Sequence, residues 1–123
     1  MKNLVNLVSL AAVTTVIAIG QLMFKQVGIT IRGLPIMDGL LLLLRQRELY
    51  AALAIYGVAT LLWIWILSRV PLTQAYPWVA AGIVIVSLLG WLIFNETVGP
   101  LFWLGVALII IGLMLTQYAS LIR

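Results

Sequence analysis

The sequence predicts an all-α integral membrane protein in which four transmembrane helices are joined by short loops. Four stretches of at least 20 residues carry no charged side chain, namely residues 3–24, 49–68, 70–95 and 97–122. Each stretch is long enough to cross about 30 Å of hydrocarbon as a helix. Apolar residues make up 65% of the chain and charged residues 8%, which is far from the composition of soluble domains. Helices are favoured over strands because the stretches lack alternation and lipid cannot satisfy free backbone groups.

We predict one domain over residues 1–123, in which the short loops make consecutive helices antiparallel neighbours. Gly28, Gly33 and Pro35 follow the first stretch and are predicted to end its helix. Pro77 falls in the first turn of the third helix, and Pro100 lies near the start of the fourth, where its missing N–H breaks no hydrogen bond. The predicted transmembrane helices cover about residues 4–25, 49–68, 74–94 and 101–118.

Two segments have alternative interpretations. The first stretch follows Lys2 as a signal peptide would, but it is longer than a signal core and lacks a small-residue cleavage site, so a retained helix is predicted. Residues 36–47 could form a short amphipathic helix in the membrane interface or extend the second transmembrane helix. The interfacial helix is favoured because Arg45, Arg47 and Glu48 place three charges within four residues, which is costly in hydrocarbon.

The composition excludes several classes of function. Because the chain has no cysteine and no histidine, disulfides, thiol chemistry and a hydrolytic triad are not available. Its three acidic residues are far apart in sequence, so no metal site and no cofactor are predicted, and the protein is not expected to be an enzyme. The net charge of +4 fits contact with anionic lipids, whereas nucleic-acid binding is not expected because the basic residues form no compact patch.

The basic residues are divided almost evenly between the two predicted sides of the membrane. One side carries Lys2, Arg69 and Arg123, and the other carries Lys25, Arg32, Arg45 and Arg47. Such a weak bias would permit insertion in both orientations and therefore an antiparallel homodimer. The alternative is a single orientation, set by the basic first loop or by a partner chain.

A few polar residues near the helix ends are the candidates for a binding site. Gln21 and Lys25 share a face of the first helix, where an amide and an ammonium could hold a phosphate or another anion. Alternatively, Lys25 extends to the lipid headgroups, although Gln21 still needs a partner in hydrocarbon. Tyr76 projects a hydroxyl near the membrane boundary, or is an ordinary interfacial aromatic residue. Glu96 could pair with Lys25, with Arg69 of an antiparallel partner or with a sugar amine, or it is a solvated turn carboxylate.

Proline and glycine residues indicate bends and close helix contacts. Pro77 frees the carbonyl of Thr73 and is predicted to bend the third helix, and Gly82 on the same helix fits a close contact or a flexible point. Gly105 and Gly112 lie seven residues apart on one face of the fourth helix. Small residues let membrane helices approach closely, so these two glycines predict either a dimer seam or an internal packing stripe.

The chain resembles the small four-helix branch of the drug/metabolite transporter superfamily. The likeness lies in GQLMFKQ at residues 20–26, VPLTQAYP at 70–77, NETV at 95–98, and WLG at 103–105 with Gly112. Small multidrug resistance exporters of this branch carry a glutamate in the middle of the first helix, which would fall at about Ile17 here. A neutral aliphatic residue cannot bind a cation or a proton at the membrane midplane. The chain more closely resembles the subunits of the 4-amino-4-deoxy-L-arabinose–phosphoundecaprenol flippase, whose GQL…KQ element, VP…AYP element and glutamate after the third helix are all present here.

The resemblance implies a flippase that moves a polyprenyl-phosphate-linked sugar across the bacterial inner membrane for lipid A modification. It carries Gln21, Lys25, Tyr76, Pro77 and Glu96 over as matching positions. Lys25, with Arg69, would hold the phosphate, Gln21 and Tyr76 would donate hydrogen bonds, and Glu96 would bind a sugar amine. Such subunits are expected to act in pairs, as a homodimer or with a similar four-helix chain. The alternatives are a cation exporter and a non-transport subunit of a glycolipid pathway.

Overall fold

The computed structural model of the protein describes residues 2–122, with side chains described for residues 4–122. Within this range the chain forms six helices and no strand: α1 (Lys2–Thr30), α2 (Ile36–Arg45), α3 (Arg47–Leu67), α4 (Leu72–Ala75), α5 (Pro77–Phe94) and α6 (Pro100–Leu121). Four segments are long and apolar enough to cross a membrane, namely α1, α3, α4 together with α5, and α6. The predicted fold of four transmembrane helices is therefore confirmed. Predictions that depend on the side chains of Lys2 and Arg123 fall outside the described residues.

The first helix is longer than the sequence predicts. Gly28 does not end α1, which continues to Thr30. A single glycine inside a helix costs only about 1 kcal/mol, which is less than a buried neighbour such as Val27, 3% exposed, contributes to packing. The chain turns at Gly33, whose φ of +82° is a left-handed conformation that residues with a Cβ rarely adopt. Pro35 then precedes the first residue of α2.

Residues 36–45 form a helix of their own. Gln46 has an extended conformation, with φ −84° and ψ 125°, and separates α2 from α3. Its side-chain amide donates a hydrogen bond to the Thr30 hydroxyl, which ties this junction to the end of α1. The alternative of one continuous second helix is therefore wrong. The interfacial position of α2 stays a prediction, and its exposed Ile36 and Leu44 fit that position.

Pro77 interrupts the helix of the third transmembrane segment, and the bend predicted there stays a prediction. Because Pro77 has no N–H, the hydrogen-bond ladder breaks between α4 and α5. Tyr76 at the junction keeps helical angles, with φ −65° and ψ −34°, and its N–H bonds to the Leu72 carbonyl 2.8 Å away. The segment therefore crosses the membrane as one path with a local defect next to Tyr76.

The core lies at one end of the bundle. It consists of Leu10, Val13, Ala59, Ile66, Val70 and Ala75. These residues belong to α1, α3, the following turn and α4, so the N-terminal half of α1 packs against the C-terminal half of α3. At the other end of the same helices, Gln21 contacts Tyr56, which establishes that α1 and α3 are antiparallel. The tightly packed end of the bundle is therefore the end that holds the turn after α3.

The fourth transmembrane helix lies at the edge of the bundle. α6 packs mainly against α5, where the rings of Trp91 and Trp103 meet edge to face at 5.3 Å. Gln117 near its other end donates a hydrogen bond of 3.2 Å to the Gln74 carbonyl. Only Val106 is fully buried along α6. Most of this helix therefore faces outward, toward lipid or another chain.

Candidate functional site

A groove of two adjoining cavities runs between α1 and α5, with α3 lining its first cavity and the segment from Glu96 to Phe102 lining its second. The first cavity, of about 490 Å³, is lined mainly by apolar side chains such as Ile17, Trp63 and Val79, and we call it the apolar cleft. Its polar lining residues are Thr14, Gln21, Tyr56, Thr60, Tyr76 and Ser87. The second cavity, of about 650 Å³, is the charged pocket, because Lys25, Arg32 and Glu96 line it. Gln21, Val86 and Ser87 line both cavities, so the cleft and the pocket are continuous.

Gln21 lies where the two cavities meet and bonds to a tyrosine of the facing helix. Its side-chain amide donates a hydrogen bond to the Tyr56 hydroxyl, which provides the partner that an amide in hydrocarbon requires. The Tyr56 ring also packs against Phe24, with ring centroids 5.0 Å apart. Gly20 makes this contact possible, since a Cβ there would lie 2.8 Å from Tyr56 Cδ2. The approach of α3 to α1 thus fixes the position of the amide.

The charged pocket contains an ion pair between α1 and the loop before α6. Lys25 Nζ lies 2.7 Å from Glu96 Oε1 and 5.9 Å from the centre of the Phe94 ring. The left-handed Asn95, with φ +51°, turns the chain back after α5 and brings Glu96 beside Gly90. The Lys25 and Glu96 side chains are 42% and 47% exposed. The pair is therefore not enclosed by the chain itself, and where water reaches it such an exposed pair contributes at most about 1 kcal/mol.

The structure brings together three of the five predicted binding residues. Gln21, Lys25 and Glu96 line the charged pocket. Of the three partners that the sequence suggested for Glu96, the structure shows Lys25. Tyr76 lies at the far end of the apolar cleft, at the junction of α4 and α5, and is 61% exposed.

Arg69 is not part of this arrangement. It lies in the turn after α3, at the opposite end of the bundle from Lys25, and lines neither cavity of the groove. Its guanidinium stacks on the Trp65 ring at 3.7 Å. Within one chain, Lys25 and Arg69 therefore do not form a joint phosphate site, because they lie at opposite ends of the membrane-spanning helices.

The structure places the predicted packing glycines in different surroundings. Gly82 lines the apolar cleft, and a Cβ there would lie 3.3 Å from the Thr14 methyl group, so Gly82 permits close packing of α5 on α1. Gly105 and Gly112 have no atom of the described chain within 4 Å of an added Cβ. An internal packing stripe on α6 is therefore wrong, and the dimer seam stays a prediction, as does a hinge at Pro77 and Gly82.

Sequence reasoning missed Tyr56 and Arg32. Tyr56 could have been found from the need of Gln21 for a partner, since Tyr56 is a polar residue well inside an otherwise apolar stretch of the adjoining helix. Arg32 was counted only as a basic loop residue. Its place in the charged pocket depends on the continuation of α1 to Thr30, which carries it onto the face of Lys25.

Comparison with curated proteins identifies the family. A protein of Pectobacterium atrosepticum, named a probable 4-amino-4-deoxy-L-arabinose-phosphoundecaprenol flippase subunit ArnE, is 36% identical over 111 residues, which are 87% of this chain and 93% of that protein. The chain belongs to the ArnE flippase-subunit family. This match confirms the resemblance to the flippase subunits that the sequence motifs indicated.

Other members of the ArnE family match over shorter ranges. The Pseudomonas savastanoi protein of the same name is 39% identical over 74 residues, or 60% of this chain and 65% of its own. The Salmonella newport protein of that name is 44% identical over 69 residues, or 56% and 62%. These two matches span less than two thirds of the length of those relatives. No family model and no solved structure matches this ArnE-family chain.

Proposed function

We propose that the chain is one subunit of a flippase that moves a polyprenyl-phosphate-linked sugar across the bacterial inner membrane. The named substrate of its relatives, 4-amino-4-deoxy-L-arabinose-phosphoundecaprenol, is the leading candidate. Its transfer would supply a sugar for modification of lipid A in lipopolysaccharide. The observation that carries the proposal is the Lys25–Glu96 ion pair at the wall of a groove that continues into an apolar cleft.

The charges of this ion pair suit the headgroup of that substrate. A phosphodiester carries one negative charge, and the sugar amine carries one positive charge. The phosphate would bind Lys25 and the ammonium would bind Glu96, so each group of the 2.7 Å pair gains a new partner of opposite sign. Because the pair is exposed and weak, separating it costs little. The pocket therefore favours a headgroup with both charges over one with a phosphate alone.

The apolar cleft would accommodate the rest of the substrate. The polyprenyl chain never has to leave hydrocarbon, and only the headgroup has to cross. Polar side chains along the cleft, from Gln21 through Thr14 and Thr60 to Tyr76, would bond to the sugar as it passes. Alternating access would come from movement of two subunits against each other, as in transporters with midplane sites between repeats.

The cation-exporter alternative has less support. Ile17 stands at about the position where the exporters of this branch carry a glutamate, and its aliphatic side chain lines the apolar cleft. Glu96 is the acid that lines the groove, and it already contacts Lys25. Proton release when a quaternary ammonium compound is added to the purified protein would support the exporter instead.

Substitution of Glu96 by glutamine tests the proposed function through headgroup selectivity. In vesicles containing the chain and any partner subunit it needs, we expect the wild type to move a short-chain polyprenyl phosphodiester of 4-amino-4-deoxy-L-arabinose faster than the same phosphodiester of L-arabinose. Glu96→Gln removes the carboxylate that binds ammonium, so this preference should fall by about 10-fold. Translocation of both substrates is measured with a reagent that oxidises sugar diols and cannot cross the membrane, so that it reacts only with headgroups in the outer leaflet.

Glu48→Gln is the matched control, because Glu48 is an exposed acid of α3 that does not line the charged pocket. It should leave the preference unchanged. Vesicles in which the wild-type chain and its partner translocate neither phosphodiester would rule out the proposed function. Translocation of both sugars at equal rates by the wild type would rule out the role of Glu96.

The second part of the proposal is a dimer, either of this chain or with a similar four-helix subunit, that forms through the exposed face of α6. Gly105→Leu together with Gly112→Leu should abolish the dimer, because bulky side chains prevent close approach of two membrane helices. Mass measurement in nanodiscs or crosslinking in native membranes gives the oligomeric state. Ala107→Leu is the control, since Ala107 is exposed on the other side of α6. A double variant that dimerises like the wild type would remove α6 from the interface.

A further inference from the structure

Arg32 is a cation of the charged pocket that forms no ion pair with any side chain of residues 4–122. Across the described residues, the acidic side chains are Asp38, Glu48 and Glu96, and only Glu96 forms an ion pair, with Lys25. The positive charge of Lys25 is therefore compensated in this state, whereas that of Arg32 is not. An anion that enters the pocket meets Arg32 as its uncompensated charge.

The geometry of α1 places Arg32 and Lys25 on either side of a gap. Lys25, Gly28 and Arg32 all line the charged pocket. Lys25 and Gly28 lie three residues apart on one face of α1, and Arg32 follows in the turn directly after this helix. The Arg32 N–H bonds to the Ile29 carbonyl at 3.3 Å, a tight turn that keeps Arg32 close to the end of α1. An added Cβ at Gly28 would meet no atom within 4 Å, so open space separates the two cations.

We propose that Arg32 binds the substrate phosphate first, and that Lys25 joins it only after the sugar ammonium has bound Glu96. This inference rests on the proposed function and deepens it. The planar guanidinium can bind two phosphate oxygens at once, which suits a capture group. Lys25 stays with Glu96 until an ammonium replaces it, so a headgroup without an amine is held by Arg32 alone. The pocket therefore recognises the phosphate and the amine in sequence.

A different explanation of Arg32 has to be separated from this one. A basic residue at the end of a helix is stabilised by the helix dipole and attracted to anionic lipid, without any role in substrate binding. Arg45 is the matched control, because it lies in the last turn of α2 and is exposed, but does not line the charged pocket. A general electrostatic role would affect both arginines equally.

The test measures binding rates for the intact chain, with any partner subunit it needs, in nanodiscs of zwitterionic phosphatidylcholine, which has no net charge. A short-chain polyprenyl phosphodiester of 4-amino-4-deoxy-L-arabinose is mixed with the protein in a stopped-flow instrument, and binding is followed by intrinsic tryptophan fluorescence, to which Trp63 in the apolar cleft contributes. Arg32→Ala should lower the association rate constant about 10-fold and reduce its dependence on salt, as expected for a capturing charge. Lys25→Ala should instead raise the dissociation rate constant about 10-fold. Arg32→Lys should recover most of the association rate, and Arg45→Ala should change neither constant.

The outcomes distinguish the two proposals. An association rate that Arg32→Ala leaves unchanged, or that Arg45→Ala lowers equally, would overturn the role of Arg32 while the flippase proposal stands. If the wild-type chain binds neither this phosphodiester nor its L-arabinose counterpart, the flippase proposal fails and the role of Arg32 fails with it. Arg32→Gln, which keeps a polar side chain without the charge, provides a second variant should the alanine protein fold poorly. Circular dichroism verifies the helix content of each variant.

Discussion

Lys25→Ala is expected to abolish lipid A modification in bacteria that depend on this chain, with a fall of about 100-fold in modified lipid A. The substitution removes the ammonium that would bind the phosphate, and it leaves Glu96 as an uncompensated negative charge in the pocket that the phosphate must enter. Gln21→Ala should have the same outcome, because Gln21 lines both cavities. Mass spectrometry of lipid A from a complemented deletion strain measures the effect at matched protein levels in the membrane.

A charge exchange separates binding from structural support. In the double variant Lys25→Glu with Glu96→Lys, the ion pair can form again with its ends reversed, so a purely structural role predicts recovered modification. The phosphate would then meet a carboxylate on α1, and we expect the double variant to be as inactive as Lys25→Ala although it is equally abundant. Normal lipid A modification by both Lys25→Ala and Gln21→Ala would refute the site.

Gly20→Ala is expected to destabilise the protein by about 1–3 kcal/mol, the usual cost of adding a methyl group to a packed contact. The new Cβ would overlap the Tyr56 ring, which must shift and release its hydrogen bond with Gln21. Unfolding by denaturing detergent, followed by circular dichroism, gives the change in the free energy of unfolding. Lipid A modification should fall as well, because Gln21 loses the partner that positions it.

Gly57→Ala is the matched control for this substitution. Gly57 follows Tyr56 on α3, and an added Cβ there meets no atom of the described chain within 4 Å. Alanine favours helix more than glycine does, so this variant should be equal to the wild type or slightly more stable. A double-mutant cycle of Gly20→Ala with Tyr56→Ala should give a coupling energy of about 1 kcal/mol or more. Additive effects would mean that the ring is not what the new methyl group contacts.

The four transmembrane helices were predictable because each of these segments is apolar over its whole length. What failed were local features in which tertiary contacts outweigh intrinsic preferences. Gly28 lowers helix stability, yet α1 continues because neighbouring residues such as Val27 are buried. The break at Pro77 was predictable, since a missing N–H removes a specific hydrogen bond whatever surrounds it.

The binding site was predictable only in part, for a related reason. Gln21, Lys25 and Glu96 stand out as polar residues beside apolar stretches, and their meeting in one pocket follows from where the helices end. The grouping of Arg69 with Lys25 ignored that one span of the membrane separates them. Tyr56 lies in the middle of its stretch, so its role depends on the relative axial positions of α1 and α3, which hydrophobicity does not determine.

The core lies at a single end of the bundle, among Leu10, Val13, Ile66, Val70 and Ala75. The other end buries the smaller side chains Val27 and Ala52, and α1 is also linked to its neighbours there by the Lys25–Glu96 ion pair and the Gln21–Tyr56 hydrogen bond. Spreading this end would therefore separate fewer large apolar side chains than spreading the packed end would. Part of the energy of such a movement lies in the polar contacts, which a charged headgroup can replace.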